Sequence, residues 1–189
     1  MLQLRRGKNK KGWNCLMSKN SRYIKGITQI ALATAIMCVL AQISFYIGPV
    51  PITILPLVIA FFGYLLGIKK GTSSVLLYLM LGAVGAPVFS AFNGGLQVLI
   101  GYTGGFLWGF IPLVILCGIF KERKIGIALG ILGIILCHLL GIIQYSLISK
   151  VDFFVSLVTV SLPFIIKDII FIVIAFFLAK KVRKTIKLS

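Results

Sequence analysis

The sequence predicts an all-α integral membrane fold of six transmembrane helices with both termini in the cytoplasm, and three observations predict it. First, eighteen of the twenty lysines and arginines fall in four short clusters: Arg5 to Lys25, Lys69-Lys70, Lys121 to Lys124, and Lys180 to Lys187. Second, two long apolar runs separate each consecutive pair of clusters, and a charge at the bilayer centre costs about 2.5–3.5 kcal/mol on insertion scales. Third, basic loops stay on the cytoplasmic side, so the clusters mark the inner face and the outer loops are almost free of charge. A hydrophobic content of 59% and a mean hydropathy of +1.09 fit one compact helical domain in lipid.

The net charge of +17 does not point to nucleic acid. The basic residues flank apolar runs, where anionic headgroups and the positive-inside bias account for them. Cys15, Cys38, Cys117 and Cys137 show no metal-ligand spacing and read as small packing residues. Three units are expected: a basic cytoplasmic N-terminal extension over residues 1–21, a transmembrane domain over 22–184, and a cytoplasmic tail over 185–189. Met17 resembles an alternative translation start, so residues 1–16 are expected to be dispensable. The first apolar run is too long for the core of a signal peptide and is read as a retained span.

Span one is expected over Gly26 to Ile47. One of its faces carries Thr28, Ala31, Ala35, Cys38 and Gln42 at helical spacing. Small residues four apart let a second helix approach closely, either within the protein or from a partner subunit; the spacing alone favours packing within the protein. Pro49 and Pro51 end this span on the outer side. Spans two and three, over Ile52 to Ile68 and Thr72 to Val84, are short. The segment from Gly82 to Gly105 holds seven glycines and no charge. An outer loop so apolar is expected to fold against the helices as a cap, with a lid as its functional counterpart. Span four follows over Phe106 to Phe120 and span five over Ile125 to Ile148, where Gly126, Gly130, Gly133, Cys137 and Gly141 form a small-residue stripe. Pro163 suits the first turn of span six, which reaches Lys181.

Only three acids occur, Glu122, Asp152 and Asp168. The first two belong to loops. Asp168 lies inside span six, about one and a half turns past Pro163, and an intramembrane ionisable group is by default a functional-site candidate. Lys167 precedes it, about 100° around the helix, so the two need not pair. Either Lys167 joins the site or it snorkels outward while Asp168 is a structural acceptor. His138, alone in span five, reads as a hydrogen-bonded core residue. Gln144 and Tyr145 lie further out and are better placed to reach a pocket beside Asp168. No paired carboxylates, metal-ligand set, activated nucleophile or phosphate loop is present, so the sequence indicates no enzyme, no metal and no cofactor. What remains is a binder of one small solute, entered from the outer face.

Several stretches carry a resemblance. Gly48-Pro49-Val50-Pro51-Ile52-Thr53, Tyr64-Leu65-Leu66-Gly67-Ile68-Lys69-Lys70-Gly71, Leu81-Gly82-Ala83-Val84-Gly85-Ala86-Pro87-Val88-Phe89, Asn93-Gly94-Gly95, Gly101-Tyr102-Thr103-Gly104-Gly105-Phe106, and Pro163-Phe164 followed by Asp168 are, in order and spacing, similar to the BioY family. Its members are the biotin-specific substrate-binding (S) components of energy-coupling factor (ECF) transporters. The resemblance implies the S-component fold, biotin as substrate, multi-pass placement in the cell membrane, and as partners a transmembrane coupling subunit and two ABC ATPases that supply ATP hydrolysis. It implies Asp168 and Asn93 as readers of the ureido ring, and it turns the Ala31-xxx-Ala35 face into a docking face for the partner subunit. Phe89, Phe92, Tyr102 and Trp108 are expected as apolar walls, with Lys167 and Gln144 as further substrate contacts. The chain departs from the family pattern at four places. Lys167 replaces a glycine, Phe171 a lysine, Leu55 a glutamine and Tyr102 a proline. Those departures leave a related small vitamin or a biotin precursor as the alternative substrate, and a six-span scaffold that binds no solute as the alternative of a different class.

Overall fold

The computed structural model of the protein describes residue 21 and residues 23–46, 50–119 and 124–186. Most of the basic N-terminal extension with Cys15, the Gly48-Pro49 step, the Glu122 loop and the last three residues lie outside the described residues. The elements are α1 (Tyr23–Leu40), β1 (Ser44–Tyr46), β2 (Pro51–Thr53), α2 (Leu55–Ala83), a 3-10 turn (Ser90–Phe92), α3 (Leu96–Ile100), α4 (Gly104–Ile119), α5 (Ile125–Ser149), α6 (Phe153–Val160) and α7 (Leu162–Ile186). Among the described helices, α1, α2, α5 and α7 are long and apolar enough to cross a membrane, and α4 is a shorter apolar helix.

The first apolar run is helical only as far as Leu40, not to Ile47 as its hydropathy suggests. Its aromatic end forms β1 instead, antiparallel to β2 with Phe45 opposite Ile52. Pro51 can open β2 because a first strand residue loses little from a missing N–H. α1 lies against the later part of α2: the Thr34 hydroxyl donates to the Ser74 carbonyl at 3.0 Å, and Lys70 donates to Gln29 at 2.7 Å. Ala33, Met37 and Ala41 are buried, whereas Ala31 and Ala35 face outward on the other side of the helix.

Within α2, Gly67 leaves helical geometry at φ 78° and ψ −178°. A straight helix would separate residues 63 and 71 by about 12 Å. Here a Cβ on Gly71 would lie 3.4 Å from the Gly63 Cα. The chain therefore folds back at Gly67, giving two limbs, 55–66 and 68–83, with Lys69-Lys70 beside the bend. Glycine alone adopts this positive φ without strain. The two short apolar runs thus meet at a single residue.

α4 packs against α5 and α2, and α7 against α2 and α5. The α4–α5 contact is a glycine seam. A Cβ on Gly109 would fall 2.6 Å from the Cys137 Cα, and one on Gly133 would fall 3.0 Å from the Leu113 Cα. Tyr64, fully buried, joins three helices: its hydroxyl donates to the Gly126 carbonyl at 2.8 Å and its ring meets Phe176 edge-on at 5.3 Å.

Gly109→Leu is expected to lower the thermal unfolding midpoint of the detergent-purified protein, because forcing the seam apart costs about 1–3 kcal/mol or more. Gly26→Ala is the control. Its added methyl would meet only the Lys70 stem at 3.7 Å, so the midpoint should hold or rise slightly. Equal midpoints for Gly109→Leu and wild type would contradict the close seam.

Candidate functional site

At the hairpin end of the bundle the helices enclose a cavity whose empty space, open mouth included, is about 770 Å³. β2 and the start of α2 supply Ile52, Thr53 and Leu55 to its wall, and the 84–103 segment supplies Phe89, Ser90 and Asn93. α4 adds Phe106 and Phe110, α5 adds Cys137 and His138, and α7 adds Phe164, Lys167 and Asp168. The size and the apolar lining with a few convergent polar groups suit a small-molecule site.

Pro163 stands in the first turn of α7, where its missing N–H is tolerated, and Asp168 follows on the buried side of the same helix. Asp168 is 4% exposed. A buried carboxylate needs partners to stay charged, and three side chains provide them. His138 Nε2 lies 3.1 Å from Oδ2, and the Ser161 hydroxyl lies 2.9 Å from His138 Nδ1. The Lys167 ammonium stands 2.7 Å from Oδ1. Although Lys167 and Asp168 are adjacent on the helix, the flexible lysine stem bends back far enough to make this ion pair. The same ammonium donates to the Thr53 carbonyl at 3.1 Å and sits 4.8 Å above the Phe171 ring. Oδ1 contacts Lys167 by charge but makes no hydrogen bond among the described residues. It is thus a buried acceptor covered by the Lys167 ammonium, on a residue that lines the cavity.

The 84–103 segment is held by what it buries. Phe89 is 2% exposed and meets Tyr78 edge-on at 5.6 Å. Its ring occupies the space a side chain at Gly82 would need, and the Tyr78 hydroxyl donates to the Val88 carbonyl at 3.1 Å. Gln42, just past α1, accepts from the Phe92 N–H at 2.8 Å and donates to the Pro87 carbonyl at 3.3 Å. Ala91 and Phe92 both take positive φ, at 56° and 57°, a conformation uncommon for residues with a Cβ. This bend brings Asn93 to the cavity, where its side-chain amide donates to the Ser90 carbonyl at 2.9 Å.

Of the residues singled out in the sequence, Asp168, Lys167 and Asn93 converge on the cavity. Gln144 lies outside its wall and donates to the Leu99 and Gly101 carbonyls at 3.0 and 2.9 Å, fastening the end of α3. Tyr102 is half exposed and pairs with Tyr145 at 6.0 Å, Trp108 donates to the Leu99 carbonyl, and Phe92 is largely exposed. Asp152 caps α6 by accepting from the Phe154 N–H at 2.9 Å. Ser161 and Thr53 carried no advance signal. Ser161 stands just before a helix start, where a serine normally suggests a cap, yet its hydroxyl reaches His138. Thr53 contributes only its backbone carbonyl, which no side-chain pattern can reveal.

The sequence pattern of the BioY family matches residues 10–188. A biotin transporter BioY from Thermotoga maritima is 34% identical over 165 residues, covering 85% of this chain and 97% of its own length. A probable biotin transporter BioY from Pyrococcus horikoshii is 34% identical over 159 residues, covering 84% of this chain and 96% of its own. Among solved structures, the crystal structure of the S-component for biotin from an ECF-type ABC transporter superposes with a TM-score of 0.81. It is 30% identical to this chain, with 87% of this chain and 94% of the other covered. Sequence and fold agree across nearly the whole length: the chain belongs to the BioY family.

Proposed function

We propose that this protein takes up biotin as the substrate-binding S component of an ECF-type ABC importer. The observation that carries the proposal is the buried Asp168 in the wall of an apolar cavity, where its Oδ1 makes no hydrogen bond among the described residues. Biotin's ureido ring presents two N–H donors and one carbonyl acceptor, which suit a carboxylate and an amide. Asp168 takes a ureido N–H and Asn93 reads the ring beside it. The apolar body of the ligand lies among Phe89, Phe106 and Phe164, while the Lys167 ammonium meets its carboxylate. Phe92, Tyr102 and Gln144 form the outer rim. The family's relatives named as biotin transporters support the same substrate.

Six spans are proposed in the cell membrane: α1, the two limbs of α2, α4, α5 and α7. Residues 22–184 make one transmembrane domain between cytoplasmic ends, with the cavity at the outer face. The protein itself catalyses no reaction. A transmembrane coupling subunit docks on the Ala31 and Ala35 face, which α1 leaves outward, and two ABC ATPases hydrolyse ATP. A biotin precursor or related vitamin is the second reading, favoured by one observation: Lys167 is already paired with Asp168, so a ligand carboxylate competes for it.

Titration of intrinsic fluorescence with biotin tests the assignment. Wild type should bind tightly without ATP, and Asp168→Ala should weaken binding about a hundredfold or more, because removing one partner of a buried charged hydrogen bond costs about 2–5 kcal/mol. Lys167→Met should weaken biotin about tenfold more than it weakens biotin methyl ester. A folded wild type that ignores biotin would overturn the biotin assignment; a precursor that outcompetes biotin would establish the second reading. For the topology, a cysteine-free variant carrying Lys150→Cys should react with a membrane-impermeant maleimide in intact cells, and one carrying Lys69→Cys should react only after permeabilisation. The reverse pattern would contradict the six-span arrangement.

A further inference from the structure

We infer that His138 and Ser161 are positioning residues that aim Asp168 at an N–H donor of the ligand; this inference rests on the biotin reading above. His138 is 4% exposed, Ser161 1% and Asp168 4%, so the chain from Ser161 through the imidazole to the carboxylate is shielded along its length. An ionised carboxylate only accepts, so His138 Nε2 carries the hydrogen directed at Oδ2 across 3.1 Å. Lys167 supplies a positive charge to the other carboxylate oxygen at 2.7 Å. The Ser161 hydroxyl lies 2.9 Å from Nδ1, so both ring nitrogens are held. The Phe106 ring stands edge-on to the imidazole at 5.7 Å and 88° and fixes the plane in which Nε2 points.

The consequence is a division of labour between the two carboxylate oxygens. Oδ2 is occupied by a fixed donor, so the carboxylate cannot rotate freely. Oδ1 makes no hydrogen bond among the described residues and is covered by the Lys167 ammonium; it becomes the acceptor for the ligand once that ammonium turns to the ligand's carboxylate. A group held this way accepts from a neutral N–H at low reorganisation, because its direction is set before the ligand arrives. His138, although part of the cavity wall, thus acts through Asp168 on selectivity for ureido donors. A merely structural histidine would alter stability without altering which ligand is preferred.

The test compares biotin with a derivative methylated on one ureido nitrogen, using their Kd ratio as the readout together with the thermal midpoint of each variant. Wild type should prefer biotin about a hundredfold, since a site built to receive a donor rejects an analogue that lacks it. His138→Leu should shrink that preference about tenfold or more, the size expected for losing a hydrogen bond to a charged group. His138→Gln keeps a donor near the Nε2 position and should restore much of it. Ser161→Ala should shrink the preference and Ser161→Thr should retain it, and this pair carries the test if His138→Leu does not fold. An unchanged ratio in folded His138→Leu, equal ratios for its Leu and Gln variants, or an unchanged ratio in Ser161→Ala would overturn the positioning role. Absence of biotin binding by wild type would instead overturn the biotin reading and the inference with it, so the two failures are distinguishable.

Discussion

A carboxylate inside an apolar helical bundle has to be paired, and the pairing of Asp168 fixes how α7, α5 and the β2 hairpin sit against one another. His138 brings α5 to one carboxylate oxygen and Lys167 attends the other while reaching the Thr53 carbonyl of β2. Breaking one member would leave a buried charge uncompensated, which costs several kcal/mol, whereas the intact set adds little net stability. Such a cluster is retained where it does something besides hold the fold. Asp168 also lines the cavity, so the cluster that joins these elements reaches the proposed ligand site.

The rest of the architecture keeps that cavity open. Lipid offers helices no hydrophobic force toward one another, so the glycine seam between α4 and α5 and the fold-back at Gly67 obtain their cohesion from close approach. Tyr64 then ties α2, α5 and α7 at a point away from the site. At the hairpin end, the 84–103 segment uses Phe89 as a plug under Tyr78 and Gly82, which lets an uncharged, glycine-rich stretch be ordered with only a 3-10 turn and the short α3 of its own. Gln42 holds the strained Ala91-Phe92 bend from the end of α1. Asn93 reaches the cavity only because that bend is held.

Much of this was legible in the chain. Charge clusters and apolar runs gave the helical segments, because exclusion of charge from lipid acts on every residue in a run. Asp168 stood out as the one acid in such a run, and the charge-free 84–103 stretch implied a folded cap. Other features were hidden for physical reasons. Hydropathy does not distinguish a helix from a strand, so β1 was absorbed into the first run until its pairing with β2 appeared. Gly67 resembles any other glycine next to a basic loop, and only its backbone angles mark the bend. The His138–Asp168 contact joins residues thirty apart on different helices, and no spacing rule gives the rotational register that brings them together. Gln144 was expected near the pocket because it lies further out along span five than His138, but its amide is engaged by the end of α3.

The most direct test of the account is a crystal structure of the protein with biotin bound. The account predicts a ureido nitrogen within hydrogen-bond distance of Asp168 Oδ1, with the His138–Asp168 and Ser161–His138 bonds intact and the ligand's apolar body against Phe89, Phe106 and Phe164. Biotin bound elsewhere, or bound in this cavity with Asp168 still engaged only by His138 and Lys167, would contradict it.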